Sequence, residues 1–93
     1  MEPGNYVVVT TKHRGVFAGR LVNRENSEVK LKDARVCIYW STNTKGFVGL
    51  AVTGPIKGSR VSPAAPEMVI ADVTSITLCS EQAEKQWENG PWE

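Results

Sequence analysis

The chain has few of the residues from which catalytic and metal sites are usually built. Its 93 residues include one histidine, His13, and two cysteines at scattered positions. This spacing does not provide the ligands of a zinc site. No serine or cysteine lies in a recognisable nucleophile motif, and no acid stands beside His13 in sequence to support acid–base catalysis. The sequence therefore predicts a binding protein rather than an enzyme, with no metal and no cofactor.

Long apolar segments are missing as well. No run approaches the roughly 20 residues that a membrane-spanning helix needs. The N-terminus, MEPGNYVVV, lacks the basic and apolar regions of a signal peptide. We therefore expect a cytoplasmic protein with no membrane partner. Cys37 and Cys79 stand in apolar, strand-like runs, so two buried thiols are expected rather than a disulfide.

The small net charge of +1 conceals an uneven distribution. Residues 1–66 carry ten Lys and Arg against four Asp and Glu, a balance of +6, whereas residues 67–93 carry one Lys against six acids, a balance of −5. A basic body can bind polyanions. The acidic tail can instead pack across that body, in its own chain or in a neighbour, and the charges can also be merely solvated. A single domain of this length gains from association, so a homo-oligomer is expected.

Short β-rich runs separated by turn residues dominate the chain. Strands are predicted at about 6–11, 16–22, 28–32 and 36–40, with one bent or two short strands at 68–78. A Gly/Pro-rich insertion, 41–66, separates the two parts of this strand core, and the short run 47–53 fits either a strand or one helical turn. Gly19 in mid-strand indicates a bend or a bulge. The pattern predicts a small, strongly bent, barrel-like sheet.

A short α-helix is predicted at the C-terminal end, from about residue 81 to 88. Ser80 is a suitable N-cap, and acids follow it in the first turn. Ala83 and Trp87 are four residues apart and form an apolar stripe. The fold class predicted for residues 1–93 is thus mainly β, with a short C-terminal α-helix, in one domain.

The insertion and the strand before it contain the strongest candidates for a binding site. Glycines let a backbone approach an anionic or planar ligand, cations meet phosphate, and an aromatic ring stacks on a base. The predicted ligand-binding residues are Tyr39, Trp40, Thr42, Asn43, Thr44, Lys45, Gly54, Lys57, Gly58, Ser59 and Arg60. Two other interpretations stay open, because 54–60 also fits a plain surface turn and aromatic residues in strands usually serve packing.

A basic hairpin tip provides a second, weaker candidate. Lys12, His13 and Arg14 precede Gly15, which can supply the positive φ of a tight turn. These three residues are possible phosphate or polyanion contacts. The pattern favours the other interpretation, a solvated surface turn, over a phosphate contact.

The chain resembles two groups of proteins. The segments YVVVTTKHRGVFAGRLVN and EVKLKDARVCIYW have a hydrophobic rhythm similar to Sm-like and SH3-like small barrels. The block DARVCIYWSTNTKGFVGLAVTGPIKGSRV, with the start PGNYVVVTTKHRGVFAGRL, looks like small proteins of tailed bacteriophages and prophages. The second resemblance implies a viral protein in the host cytoplasm, comparable in size to oligomeric sponges that sequester nucleotide signals of bacterial immunity.

These observations favour non-catalytic binding of a phosphorylated, nucleotide-like small molecule, such as a cyclic nucleotide, by an oligomer. Two alternatives remain. The basic body can bind nucleic acid, which would give a steep salt dependence. The chain can also be a phage structural or adaptor protein that docks through Trp87, Trp92 and the acidic tail.

Overall fold

The structure, a computed structural model, describes residues 1–13 and 15–89, without the side chain of Thr42. Arg14 and Trp92, named above as a phosphate contact and a docking residue, lie outside the described residues. The fold is mainly β with a short C-terminal helix, as predicted. In chain order the elements are β1 (Tyr6–Thr11), β2 (Val16–Glu25), β3 (Glu28–Tyr39), a 3₁₀ turn (Thr42–Thr44), α1 (Gly46–Val52), β4 (Arg60–Val61), β5 (Ala65–Ile70), β6 (Val73–Leu78) and α2 (Glu81–Asn89).

The six strands form one antiparallel sheet in the order β4-β3-β2-β1-β6, and β5 pairs with the first half of β3. The sheet is strongly bent. Strands β5 and β6 lie at opposite sides of it, yet Met68 of β5 and Ile76 of β6 pack against the same apolar cluster. No ladder among the described residues joins β5 to β6, so the barrel does not close.

Strand β1 is buried on both faces and divides the core in two. Val7 and Val9 point into the concave side of the bent sheet, where they join the cluster built from β2, β3 and both end strands. Tyr6 and Val8 point to the convex side, which α1 and α2 cover. The alternation of strand side chains thus gives each face its own apolar layer.

Strand β3 is one long strand, so the prediction of two strands at 28–32 and 36–40 is wrong. Asp33 adopts a left-handed conformation with φ 53° and is the extra residue of a β-bulge opposite Gly19. A Cβ at Gly19 would lie 3.0 Å from the carbonyl oxygen of Lys32, which explains the glycine there. The bulge predicted at Gly19 is confirmed, and it bends the sheet without interrupting the strand.

The 41–66 insertion is more regular than its composition suggests. The run 47–53, left undecided by the sequence, lies mostly in the seven-residue helix α1. The insertion also contains the short strand β4, which was not predicted, and β5 begins at Ala65, earlier than the predicted residue 68. Helix α1 packs so closely on the preceding 3₁₀ turn that a Cβ at Gly49 would overlap the carbonyl group of Thr44. Part of the glycine content therefore serves packing.

Helix α2 is fixed to the convex face by its apolar stripe. Ser80 caps it by accepting a 3.0 Å hydrogen bond from the Ala83 amide, as predicted. Ala83 and Trp87 are fully buried, and the Trp87 indole donates a 3.0 Å hydrogen bond to the carbonyl oxygen of Leu50 in α1. Trp87 is therefore a core residue, and the prediction that it docks on a partner is wrong.

Neither described helix is long and apolar enough to cross a membrane.

Candidate functional site

A second irregularity in β3 exposes two neighbouring apolar side chains at its C-terminal end. The ladder with β4 pairs Cys37 with Val61 and Tyr39 with Arg60, so β3 has one more residue than β4 over this stretch. Side chains in a regular strand alternate between faces. Here Ile38 is 65% exposed and Tyr39 is 54% exposed. Bulges often redirect side chains beside functional sites, and this one presents an aromatic ring to solvent.

A tight turn delivers Arg60 to the same place. The Ser59 amide donates a 3.0 Å hydrogen bond to the Ile56 carbonyl, and Gly58 has a φ of 96°. This geometry matches a type II turn, which needs a glycine at its third position. Since the turn uses the Ser59 amide, that amide is not available to an anion in this conformation, and the nest predicted for 54–60 stays a prediction. What the turn provides is Arg60, placed opposite Tyr39.

Tyr39 and Arg60 face one cleft of about 350 Å³, which Ile38 and Gly58 complete. Among the residues that the structure describes, no acidic side chain lines it. The Arg60 guanidinium forms no hydrogen bond or ion pair with any residue that the structure describes. The cleft therefore presents an open aromatic face beside an uncompensated cation.

The second aromatic residue of the predicted pair has a different environment. Trp40 is half-buried and packs against the convex-side core. It also lines a neighbouring groove of about 430 Å³ with Cys37, Ile38 and Tyr39. Of the predicted ligand-binding residues, the structure thus brings together Tyr39, Trp40, Gly58 and Arg60.

The sheet contains a second tyrosine–arginine pair, in which carboxylates compensate the charge of the arginine. Tyr6 and Arg20 are partners in the β1–β2 ladder, and the guanidinium carbon lies 5.4 Å from the centre of the ring. Arg20 holds both carboxylate oxygens of Glu84 at 3.1 Å and one oxygen of Glu88 at 3.4 Å. The hydrogen bond to Glu84 raises the pKa of Arg20 above its usual value.

This arrangement shows that part of the acidic tail packs across the basic body of its own chain. Glu84 and Glu88 belong to the acidic tail, and both pack across the basic body of their own chain. They lie one helical turn apart, so they face the same side of α2. The cavity beside them is small, about 160 Å³, and its lining includes Asp33 and Arg35. Here Glu84 and Glu88 compensate the charge of Arg20.

Three of the predicted ligand contacts are buried, and two of them have structural roles. The Thr44 side chain lies 3.4 Å from the Ser41 hydroxyl beneath α1. Gly54 has a φ of 77°, and a Cβ there would lie 2.7 Å from the Cβ of Gln86 in α2. Ser59 is fully buried, and its hydroxyl has no hydrogen-bond partner among the described residues. Close packing between elements therefore explains Thr44 and Gly54, which a ligand in solvent does not reach.

The remaining residues of the predicted site are not in the cleft. Asn43, Lys45 and Lys57 are exposed, but none lines the space between Tyr39 and Arg60. Lys45 has a left-handed backbone with φ 66° just before α1. In this conformation these side chains do not contact a ligand in the cleft. They can affect one only through the electrostatic field of the two lysines or after a change of conformation.

The basic hairpin tip is tied to a neighbouring turn. His13 Nε2 lies 3.4 Å from a carboxylate oxygen of Asp72, and the Lys12 amide donates a 2.9 Å hydrogen bond to the Asp72 carbonyl. Neither residue lines the Tyr39–Arg60 cleft. The tip is thus a separate exposed feature, and its role as a polyanion contact stays a prediction.

Comparison with known proteins places the cleft inside a family domain. Residues 4–87 match a family described as a domain of unknown function (DUF6948). The chain belongs to this family. The match includes Tyr39 and Arg60 as well as Tyr6, Arg20 and Glu84, so most of the two tyrosine–arginine sites belongs to the DUF6948 domain. No curated protein matches the chain.

Burial disfavours the thiolate form of both cysteines of this DUF6948 domain. Burial raises the pKa of Cys37 to about 11 and, with a further contribution from Glu84, that of Cys79 to about 12. Both are unpaired and belong to or pack against the convex-side core. Within residues 1–13 and 15–89 no group of three His, Cys, Asp or Glu side chains is arranged to hold a metal ion.

Two features of the DUF6948 domain were missed from sequence. Ile38 was not predicted to line a site. In a regular strand Ile38 and Tyr39 would point to opposite faces, and the bulge that exposes both could not be predicted from that alternation. The Arg20 site was missed because its parts are 64 positions apart in sequence. The spacing of Glu84 and Glu88 on one helical face was the available signal.

Proposed function

We propose that this protein is a non-catalytic binding protein that sequesters a phosphorylated, base-bearing small molecule in the Tyr39–Arg60 cleft. One observation carries the proposal. An exposed tyrosine and an arginine are ladder partners in one cleft, and within residues 1–13 and 15–89 no carboxylate pairs with this arginine or lines the cleft. The resemblance to small phage proteins favours sequestration of a host nucleotide signal as the purpose of this binding.

The two side chains suit the two halves of a nucleotide. Stacking a base on an aromatic ring contributes about 1–3 kcal/mol. A guanidinium matches two phosphate oxygens with parallel, charge-assisted hydrogen bonds. Because Arg60 has no ion pair within the described residues, an incoming phosphate has no carboxylate to displace. Arg20 differs, since both terminal nitrogens of its guanidinium already contact the Glu84 carboxylate.

Binding without turnover is supported by the position of the reactive groups. His13 lies at the hairpin tip beside Asp72 and does not line the cleft. Cys37 lines the adjacent groove and not the cleft, and burial raises its pKa to about 11, so the thiol stays protonated near neutral pH. Neither group offers a general base or a nucleophile to a ligand held between Tyr39 and Arg60.

The first experiment identifies the ligand. The protein is purified from cells, its native mass is recorded, and small molecules released by denaturation are analysed by mass spectrometry for nucleotides and ADP-ribose derivatives. We expect a stoichiometric nucleotide on an intact oligomer. A protein that is purified empty, and that stays inert when these compounds are added back, would contradict the proposal.

The second experiment compares two exposed arginines. Arg60→Ala is expected to abolish nucleotide binding with little change in the melting temperature, because the side chain has no partner within the described residues. Arg24→Ala is the matched control, since Arg24 is an exposed arginine at the far end of β2, and it should bind as the wild type does. An equal loss of stability in Arg60→Ala would make Arg60 structural instead.

Salt dependence separates the proposal from nucleic-acid binding. One small anion at one arginine gives a shallow dependence of affinity on salt. A polyanion bound across the basic body releases several counterions, so its affinity falls steeply with salt. A steep slope, unchanged by Arg60→Ala, would favour the nucleic-acid alternative.

A further inference from the structure

The cleft does not end at Tyr39. The groove lined by Cys37, Ile38, Tyr39 and Trp40 shares Ile38 and Tyr39 with the cleft that contains Arg60. These two residues, the neighbours that the bulge exposes, are therefore a wall common to both depressions, which we call the Ile38–Tyr39 ridge. A ligand that uses Tyr39 contacts the boundary between two binding spaces.

The two spaces have different chemistry. The first, of about 350 Å³, contains the Arg60 cation and the open backbone at Gly58. The second, of about 430 Å³, is lined by no charged side chain of the described part of the chain, and one wall is Trp40, which packs on the core. Burial keeps the Cys37 thiol neutral there by raising its pKa. The first space suits a phosphate with an adjoining base, and the second suits an uncharged planar group.

We infer, on the basis of the proposed function, that the ligand carries two nucleobases joined through phosphate and straddles the Ile38–Tyr39 ridge. Phosphate meets Arg60, one base stacks in the first space, and the second base lies against Trp40. A mononucleotide would occupy one space and leave the apolar wall of the other in water. Each space alone is at the low end of the roughly 300–1,000 Å³ range of small-molecule sites.

The test measures affinity for matched ligands with one and two bases. Wild-type protein, stripped of bound ligand, is titrated calorimetrically with the four 5′-mononucleotides, with linear and cyclic dinucleotides of the same bases, and with a ten-nucleotide single strand. A second stacked base is expected to tighten binding by roughly ten- to a hundredfold. The best dinucleotide should therefore bind at least tenfold more tightly than either of its mononucleotides.

The Trp40 wall supplies an independent readout. A base stacked on Trp40 should quench its fluorescence, so a dinucleotide is expected to quench the wild type strongly and a mononucleotide weakly. Trp40→Phe keeps an aromatic wall and removes that fluorophore, so it should keep most of the affinity and lose the quenching. Trp40→Leu, where it folds, should lower dinucleotide affinity toward that of the mononucleotide and leave the mononucleotide unaffected.

The possible failures are distinguishable. Equal affinity for one and two bases, with binding that depends on Arg60, overturns the two-base inference and leaves the proposed function standing. Absence of binding by every nucleotide overturns both. A ten-nucleotide strand that binds much more tightly than any dinucleotide, with a steep salt dependence, overturns the inference in favour of single-stranded nucleic acid.

Discussion

The sheet contains the same pair of residues twice, and the two pairs differ in almost every respect. Tyr6 and Arg20 face each other across β1 and β2, and Tyr39 and Arg60 face each other across β3 and β4. Tyr6 is buried, and its partner Arg20 is held by Glu84 and Glu88 of α2. Tyr39 is more than half exposed, and Arg60 has no carboxylate within the described residues.

The difference shows that the residue pair does not define a site by itself. A helix packed over the Tyr6–Arg20 pair supplies both a cover and opposite charge, so that pair belongs to the fold. At the other pair a bulge exposes the ring, and a glycine turn places the cation without giving it a partner. The proposed function depends on this contrast, and the predictions below are designed to reverse or remove it.

The largest expected effect is a loss of stability when the packing of α2 over the Tyr6–Arg20 pair is disrupted. Trp87→Ala leaves a cavity in the convex-side core and an unpaired carbonyl at Leu50. We expect it to reduce the free energy of unfolding by about 3–5 kcal/mol, measured by urea denaturation. Val52→Ala, at an exposed apolar position of α1, is the control and should change it by less than about 0.5 kcal/mol. Similar values for the two variants would mean that α2 is not an integral part of the core.

The two tyrosines should respond oppositely to truncation. Tyr6→Ala removes a buried ring and is expected to lower the free energy of unfolding by about 3 kcal/mol. Tyr39→Ala removes an exposed ring and should change it by less than about 0.5 kcal/mol, but should weaken nucleotide binding at least tenfold by removing the stacking surface. Chemical denaturation and calorimetric titration of both variants test this. A Tyr39→Ala variant that keeps full affinity would remove the ring from the site.

A carboxylate introduced into the open cleft should make it resemble the compensated pair. Ile38 lines the cleft beside Arg60, so Ile38→Glu offers that guanidinium an ion pair and repels phosphate. We expect affinity for a nucleotide to fall at least tenfold more than in Ile38→Gln, which has nearly the same shape without the charge. Equal affinities in the two variants at low salt would show that phosphate does not bind near Arg60.

The smallest expected effect is a decline in the free energy of unfolding at alkaline pH, caused by the buried thiols and Tyr6. Burial raises the pKa of Cys37 from its usual 9 to about 11 and that of Cys79 to about 12, and it raises the pKa of Tyr6 as well. The folded state therefore favours the neutral groups, and their contribution to stability is complete below pH 9 and is lost as the pH rises through 11 and 12. The free energy of unfolding should decline over this interval.

A Cys37→Ala/Cys79→Ala variant is the control for that decline. Its stability at neutral pH will be lower, but its slope with pH between 9 and 12 should be shallower than that of the wild type, because Tyr6 alone of the three groups remains. Identical slopes would show that the thiols titrate in the folded state as they do in the unfolded chain.

Much of the fold could be predicted from the sequence because the pattern was local. Alternating apolar residues marked the strands, Gly19 marked a bulge, and Ser80 with Ala83 and Trp87 marked α2. The left-handed backbone at Asp33 was not predicted, since an aspartate between two apolar runs is also typical of a turn. That one conformation decides whether β3 is one strand or two.

The site was predicted only in part, because composition does not distinguish glycines that bind from glycines that pack. Gly58 forms the turn beside the cleft, whereas Gly49 and Gly54 allow close contacts with Thr44 and with α2. Tyr39 and Arg60 could be named from sequence as candidates. Their pairing, and the compensation of Arg20 by an acidic helix, depend on strand register and on contacts between distant segments.

The most direct test compares the two arginines in one pair of measurements, nucleotide affinity and the free energy of unfolding, for Arg60→Gln and Arg20→Gln. Arg60→Gln should lose affinity at unchanged stability. Arg20→Gln should keep its affinity and lose up to about 1 kcal/mol of stability, a modest cost because the ion pairs are partly exposed. The reverse pattern, or equal effects of the two substitutions on affinity, would contradict the assignment of the open Tyr39–Arg60 pair to binding.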